Sequence, residues 1–208
     1  MIHDSRDAPQ SEAIILPAAQ AERPLSAEAG EAAEAQDIIE RVWGGACTLP
    51  LDYRLVEAAA LSTESRSLLD HAGSMTLRLE SYWRETLRLR VLSSQNKGDY
   101  LVRLVLLEGV RSGAVRQLAA LRLRLSALPE LLQLAVREGH VPLGRLLNDA
   151  GIEFRPARLA FIDARCPALS SVDTLLEPGS RLPGRLSRLL LRPSDAVLGE
   201  SVEMLPII

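Results

Sequence analysis

Leucine and arginine alternate residue by residue at two places in this chain, Leu87-Arg88-Leu89-Arg90 and Leu121-Arg122-Leu123-Arg124-Leu125, and no other feature restricts the fold as much. On a helix those side chains would be scattered around the axis. On an extended strand every leucine falls on one face and every arginine on the other. Both stretches therefore predict half-buried strands of an antiparallel sheet, since the strands of a buried parallel sheet read as continuous apolar runs. The same arginines interrupt every leucine-rich run well short of the roughly 18 apolar residues a membrane helix needs, so no membrane span is expected.

The rest of the chain extends this pattern. Thr86 to Leu92 and Val115 to Leu125 contain the alternating stretches, and Tyr100 to Leu107 is a more continuously apolar strand broken by one charge, Arg103. Ile152 to Ala164 is a long strand candidate. Leu186 to Leu191 and Ala196 to Met204 flank Arg192-Pro193-Ser194-Asp195, a composition suited to a tight hairpin turn. Val56 to Leu69 reads as one or two short helices, and Ser74 is placed to cap a helix running to about Trp83. Pro129 opens a helix that Gly139 closes, and Pro142 opens another over Leu143 to Asn148 before Gly151. Strands joined by short turns, with helices inserted in blocks, predict an α+β fold: a single antiparallel β-sheet with helices packed against it. The regular strand–helix alternation of a doubly wound sheet is missing.

At 208 residues the chain is one domain with, at most, a tail. Residues 1–36 are rich in Ala, Glu and Gln and nearly free of aromatics, which predicts a disordered N-terminal tail ahead of a domain spanning 37–208. Within that boundary region, Glu28 to Glu40 is compatible with a helical turn or two. The net charge of -3 argues against nucleic acid as a partner. Cys47 and Cys166 lack CxxC spacing, and His3, His71 and His140 are far apart, so neither a disulfide framework nor a metal site is expected. MIHDSRDAPQ lacks the basic-then-apolar order of a secretory signal, which leads us to expect a cytoplasmic protein.

No GxSxG, HExxH, P-loop or strand-following GxGxxG is present, which leaves sites built from arginine, backbone amides and carboxylates. Three candidates follow. Arg103 is a guanidinium in an apolar strand, costly to bury unless a carboxylate partners it, the alternative being an edge arginine facing water. In Gly139-His140-Val141-Pro142-Leu143-Gly144-Arg145, the amides of Leu143 and Gly144 are left unpaired at a helix start, a setting favourable to an anion, although most proline-initiated helices bind nothing. In Val197 to Glu203, Glu200 and Glu203 lie on opposite faces of one strand, so at most one of them lines a given pocket.

In their order and separation these segments resemble the chorismate pyruvate-lyase family, whose fold is shared with ligand-binding domains of some transcriptional regulators. The matching text is Ser74-Met75-Thr76 after Leu68-Leu69-Asp70, the strand Tyr100 to Leu107 with Arg103, Pro142-Leu143-Gly144-Arg145, and the closing hairpin Ser187 to Pro206, together covering nearly everything from Leu49 onward. The resemblance implies a chorismate lyase-like sheet enclosing a buried ligand pocket. It also implies a cofactor-free lyase, monomeric or homodimeric, that converts chorismate to 4-hydroxybenzoate and pyruvate for ubiquinone biosynthesis or secondary metabolism. By position it makes Arg103 and Glu200 the catalytic pair, with Met75, Arg103, Leu143, Gly144 and Glu200 holding substrate and Glu203 the alternative acid. Two departures stand out. Lyases of this family carry a Gly-Arg pair after Leu-Ala, whereas here Leu118-Ala119 is followed by Ala120-Leu121-Arg122, and a one-residue displacement on a strand reverses the face unless a bulge restores it. The family glutamate also stands closer to its closing proline than Glu200 stands to Pro206. The alternatives to a lyase are a noncatalytic UTRA-like module that binds a small aromatic carboxylate, and an interaction protein with Leu/Arg-rich packing surfaces.

Overall fold

A computed structural model describes residues 25–169 and 176–206. Seven strands, β1 (Tyr53–Val56), β2 (Leu87–Lys97), β3 (Tyr100–Gly109), β4 (Val115–Arg124), β5 (Phe154–Arg165), β6 (Arg181–Leu191) and β7 (Ala196–Met204), form one sheet in the order β1-β5-β6-β7-β4-β3-β2. Every neighbouring pair is antiparallel. The chain thus forms the expected single-sheet α+β architecture. One of these strands, Tyr53–Val56, is not marked in the sequence, and its Val56 stands at the start of the helical stretch expected over Val56 to Leu69. Four residues are too few to show a period, and what makes them a strand is their pairing with Phe161 to Ala164 at the sheet edge.

Alternation along the strands divides the core into two faces. Val102, Leu104 and Leu106 of β3, Leu118 and Ala120 of β4, and Val202 and Met204 of β7 point backwards. They pack against α1 (Leu25–Ile38), a π-helical turn Ile39–Trp43, and α2 (Gly44–Ala46). The buried stripe Ala35, Ile38, Ile39 and Val42 recurs at i, i+3, i+4 and i+7, one helical face. This corrects the boundary expected at residue 37. Helix begins at Leu25, Ala35 is fully buried, and Glu34 pairs with Arg188 at 2.5 Å, because an Ala/Glu-rich stretch that cannot make its own core can still lay one apolar stripe on a sheet. The first 24 residues of the expected tail lie outside the described residues.

Four helices cover the front face. α3 (Thr63–Leu69) and α4 (Met75–Trp83) lie over one half, where Leu68, Leu79, Leu107 and Phe161 form one apolar cluster. α5 (Glu130–Glu138) and α6 (Leu143–Asp149) lie over the other, around Leu101, Leu123, Val136 and Leu147. Burying each such side chain contributes about 1.5–3 kcal/mol, so the two clusters fix the helices firmly. Among the described residues no helix is long and apolar enough to cross a membrane.

Candidate functional site

A small cavity of about 50 Å³ lies between the two front clusters. Its floor is the sheet, and β-pairing fixes where each floor side chain stands. Arg103 lies opposite Leu121, Leu121 opposite Ser201, and Ser201 opposite Ser187. The next row along the strands is Val105, Ala119, Glu203 and Arg185. Arg103 and Glu203 are therefore two strands and two residues apart, about 12 Å between their backbones from ordinary sheet spacings.

Arg103 is 1% exposed. Its Nη1 donates to the carbonyl of Val136 at 2.8 Å, one of the carbonyls left unpaired at the end of α5, where the helix dipole favours a cation. Gly139 stands beside this contact. It ends α5 with a left-handed φ of +69°, and a Cβ there would stand 2.9 Å from Val91 Cγ2 and 3.7 Å from Arg103 Nη1. The Nε and Nη2 of Arg103 are buried with no hydrogen-bond partner. Burial pulls its pKa from the ordinary arginine range down to about 10.

Arg185, also 1% exposed, is by contrast held through Nε and Nη1. Its Nε donates to Glu203 Oε2 at 2.8 Å, and its Nη1 donates to the carbonyls of Leu69 and His71 at 3.0 Å each, tying the α3–α4 loop to the sheet. Gln117 Nε2 donates to the other Glu203 oxygen at 3.3 Å. In that loop the amide of Gly73 donates to His71 Nδ1 at 3.0 Å, which places the proton of a neutral ring on Nε2. Burial first, and then the Arg185 charge, push His71 down to about 4.

Met75, Arg103, Leu143 and Gly144, proposed above as substrate contacts, all line this cavity. Gly144 does so for a different reason. A Cβ at that position would lie 2.1 Å from Ser74 Oγ and 3.0 Å from Thr76 Oγ1, so the glycine serves the contact between the starts of α4 and α6, not the approach of a ligand. Ser74 caps α4, accepting from the Leu77 amide at 3.4 Å, and Arg145 pairs with Glu80 across the two helices.

Glu200 requires a correction. It stands on the back of the sheet, bound to Arg41 Nη2 at 2.9 Å and to Arg122 Nη1 at 3.5 Å, with Arg122 lying 3.4 Å over the Tyr100 ring. β7 runs against β4 without a bulge from Gly199 to Met204, so Glu200 and Glu203 keep opposite faces and the cavity acid is Glu203. Glu203, the alternative acid, and not Glu200, is therefore the carboxylate that lines the cavity. Nor does β4 contain a bulge that would turn Arg122 inward, so Leu121 lines the cavity where an arginine one position earlier would have stood. Arg185 and Gln117 were not anticipated. The signal for Arg185 is its phase, since it alternates with Ser187 and Leu189 on the face opposite Leu186.

Fold and site together define a single-sheet α+β domain with a small cavity carrying one uncommitted buried guanidinium. No family model and no curated protein matches the chain. Solved structures similar to it include the following two. One is PhnF from Mycobacterium smegmatis, at 14% identity and a TM-score of 0.48, covering 64% of this chain and 64% of that chain. The other is the effector domain of the same PhnF, at 14% identity and a TM-score of 0.49, covering 64% of this chain and 88% of that one.

Proposed function

We propose that the chain binds a small organic acid in the front cavity, with the carboxylate seated on Arg103. The observation that carries this reading is the pair of buried, unpartnered donors at Arg103 Nε and Nη2. A buried guanidinium with unmet hydrogen bonds is costly, and a carboxylate matches its two-pronged geometry. The acid at the far end, Glu203, is already bound by Arg185 and Gln117. With its oxygens so engaged, Glu203 stands as a hydrogen-bond acceptor at the far end of the cavity, which suits recognition of a ligand hydroxyl. The resemblance stated above makes an aromatic carboxylate the first ligand to try. Calorimetric titration of 4-hydroxybenzoate into the full chain should show binding that is weakened about a hundredfold or more in Arg103→Met. Equal affinity in the two proteins would remove the proposal.

A second reading is turnover of chorismate. It is favoured by the way Met75, Leu143 and Gly144, the residues carried over from the lyase family, line one cavity with Arg103 and a glutamate. In that reading no cofactor takes part. Arg103 fixes a substrate carboxylate, the ring C–O bond to the enolpyruvyl group breaks, and the proton lost from the ring as it becomes aromatic is taken up by the enolpyruvyl methylene carbon to give pyruvate. Glu203 accepts a hydrogen bond from the emerging phenol. Release of pyruvate and 4-hydroxybenzoate from chorismate by the wild type but not by Arg103→Met would establish it, and no release from the wild type would exclude it.

A further inference from the structure

We infer that the cavity admits one carboxylate and not two, so that its ligand is a monoanion whose far end is uncharged. This rests on the reading that the cavity binds an organic acid, says which acids, and counts against chorismate, which carries two carboxylates. Among the residues lining the cavity, Arg103, Arg185 and Glu203 alone carry charge. Arg185 and Glu203 neutralise each other at 2.8 Å, and the remaining contacts of that pair go to Gln117 and to two backbone carbonyls. One positive charge is left over, and it belongs to Arg103.

A second cation is missing for a reason the sheet makes plain. The floor position beside Arg103 is Leu121, while the arginine next in sequence, Arg122, is on the back face, bound to Glu200 and stacked on Tyr100. A second carboxylate would therefore lose its hydration among apolar walls such as Val105, Ala119 and Leu189 and would face the Glu203 carboxylate with no cation of its own. An uncharged donor such as a hydroxyl meets no such cost, because Glu203 can accept from it.

The test compares three probes built on one ring, titrated at neutral pH into the full chain. They are 4-hydroxybenzoate (one charge), terephthalate (two charges) and 4-hydroxybenzamide (none). We expect 4-hydroxybenzoate to bind at least about tenfold more tightly than either of the others. Two variants move the balance. Leu121→Arg adds a cation to the floor, and Glu203→Gln removes the opposing anion while keeping the shape. Each should raise the affinity for terephthalate relative to 4-hydroxybenzoate by about tenfold, and Glu203→Gln decides the matter should the larger substitution fail to fold. Terephthalate binding within about threefold of 4-hydroxybenzoate in the wild type, or an unchanged ratio in Glu203→Gln, would overturn the inference while leaving carboxylate binding at Arg103 intact. If no probe binds, or if binding is indifferent to Arg103→Met, the receptor reading and this inference fall together.

Discussion

Arg103 is buried at a cost to the folded protein. Its depression to about 10 corresponds to roughly 3 kcal/mol in favour of the neutral form, a penalty present at every pH below about 10 that fades only as the pH rises through that value. Arg103→Met should therefore raise stability in denaturant titrations by about 1–3 kcal/mol even as it removes binding, and a destabilised variant would mean that the Val136 contact outweighs the buried charge. His71 has the opposite practical consequence. The folded protein holds it neutral to about 4, whereas the unfolded chain takes up its proton near 6.5, so between those values the unfolded state binds more protons and stability falls as the pH drops. Across that window the wild type should lose on the order of 2 kcal/mol more than His71→Gln does. Parallel pH series of unfolding curves would argue against this. At this scale the sequence was readable wherever a residue broke its own context. Arg103 stood out as the lone charge in an apolar strand. Glu200 and Glu203 could be assigned to opposite faces but not to a particular one, because alternation is relative and the helices that make one face a pocket come from distant stretches of chain.

The helices over the front face are set by contacts only a few atoms wide. Gly144→Ala would drive a methyl group into Ser74 Oγ, and we expect a loss of about 1–3 kcal/mol with a measurable drop in ligand affinity as the starts of α4 and α6 separate. Ser74→Ala alone should cost about 1 kcal/mol through the lost cap, yet in the double variant it should recover part of the Gly144→Ala loss, and strict additivity would show that the two residues do not share the contact. Element by element, legibility followed punctuation. Pro129 with Gly139, Pro142, and the Arg192 to Asp195 turn marked their boundaries in the sequence because each has a local backbone cause. β1 carried no such mark, being four residues long and defined by its partner strand. The start of α1 was missed because Ala and Glu give a helix no apolar moment until a sheet supplies the surface for Ala35 and Ile38 to cover.

At the scale of the molecule, the sheet separates two kinds of acid–base pairing. On the front, Arg185 and Glu203 support the cavity. On the back, Arg41 with Glu200 and Arg188 with Glu34 fasten α1 and the turn after it. Glu200→Gln should therefore reduce stability by about 1 kcal/mol, as expected for a half-exposed partner, and leave the affinity for 4-hydroxybenzoate unchanged, whereas Glu203→Gln should alter the affinity. The reverse result from the same pair of titrations would return the cavity to Glu200. The separation also bears on how such a binding site can change over generations. Loss of a single codon for Ser201 or Val202 would bring both acids to the same side of the sheet. With both on the front, the extra negative charge would offset that of Arg103 without altering any residue that lines the cavity today. In this architecture the length of one strand segment, as much as the identity of its side chains, is what selection has to preserve.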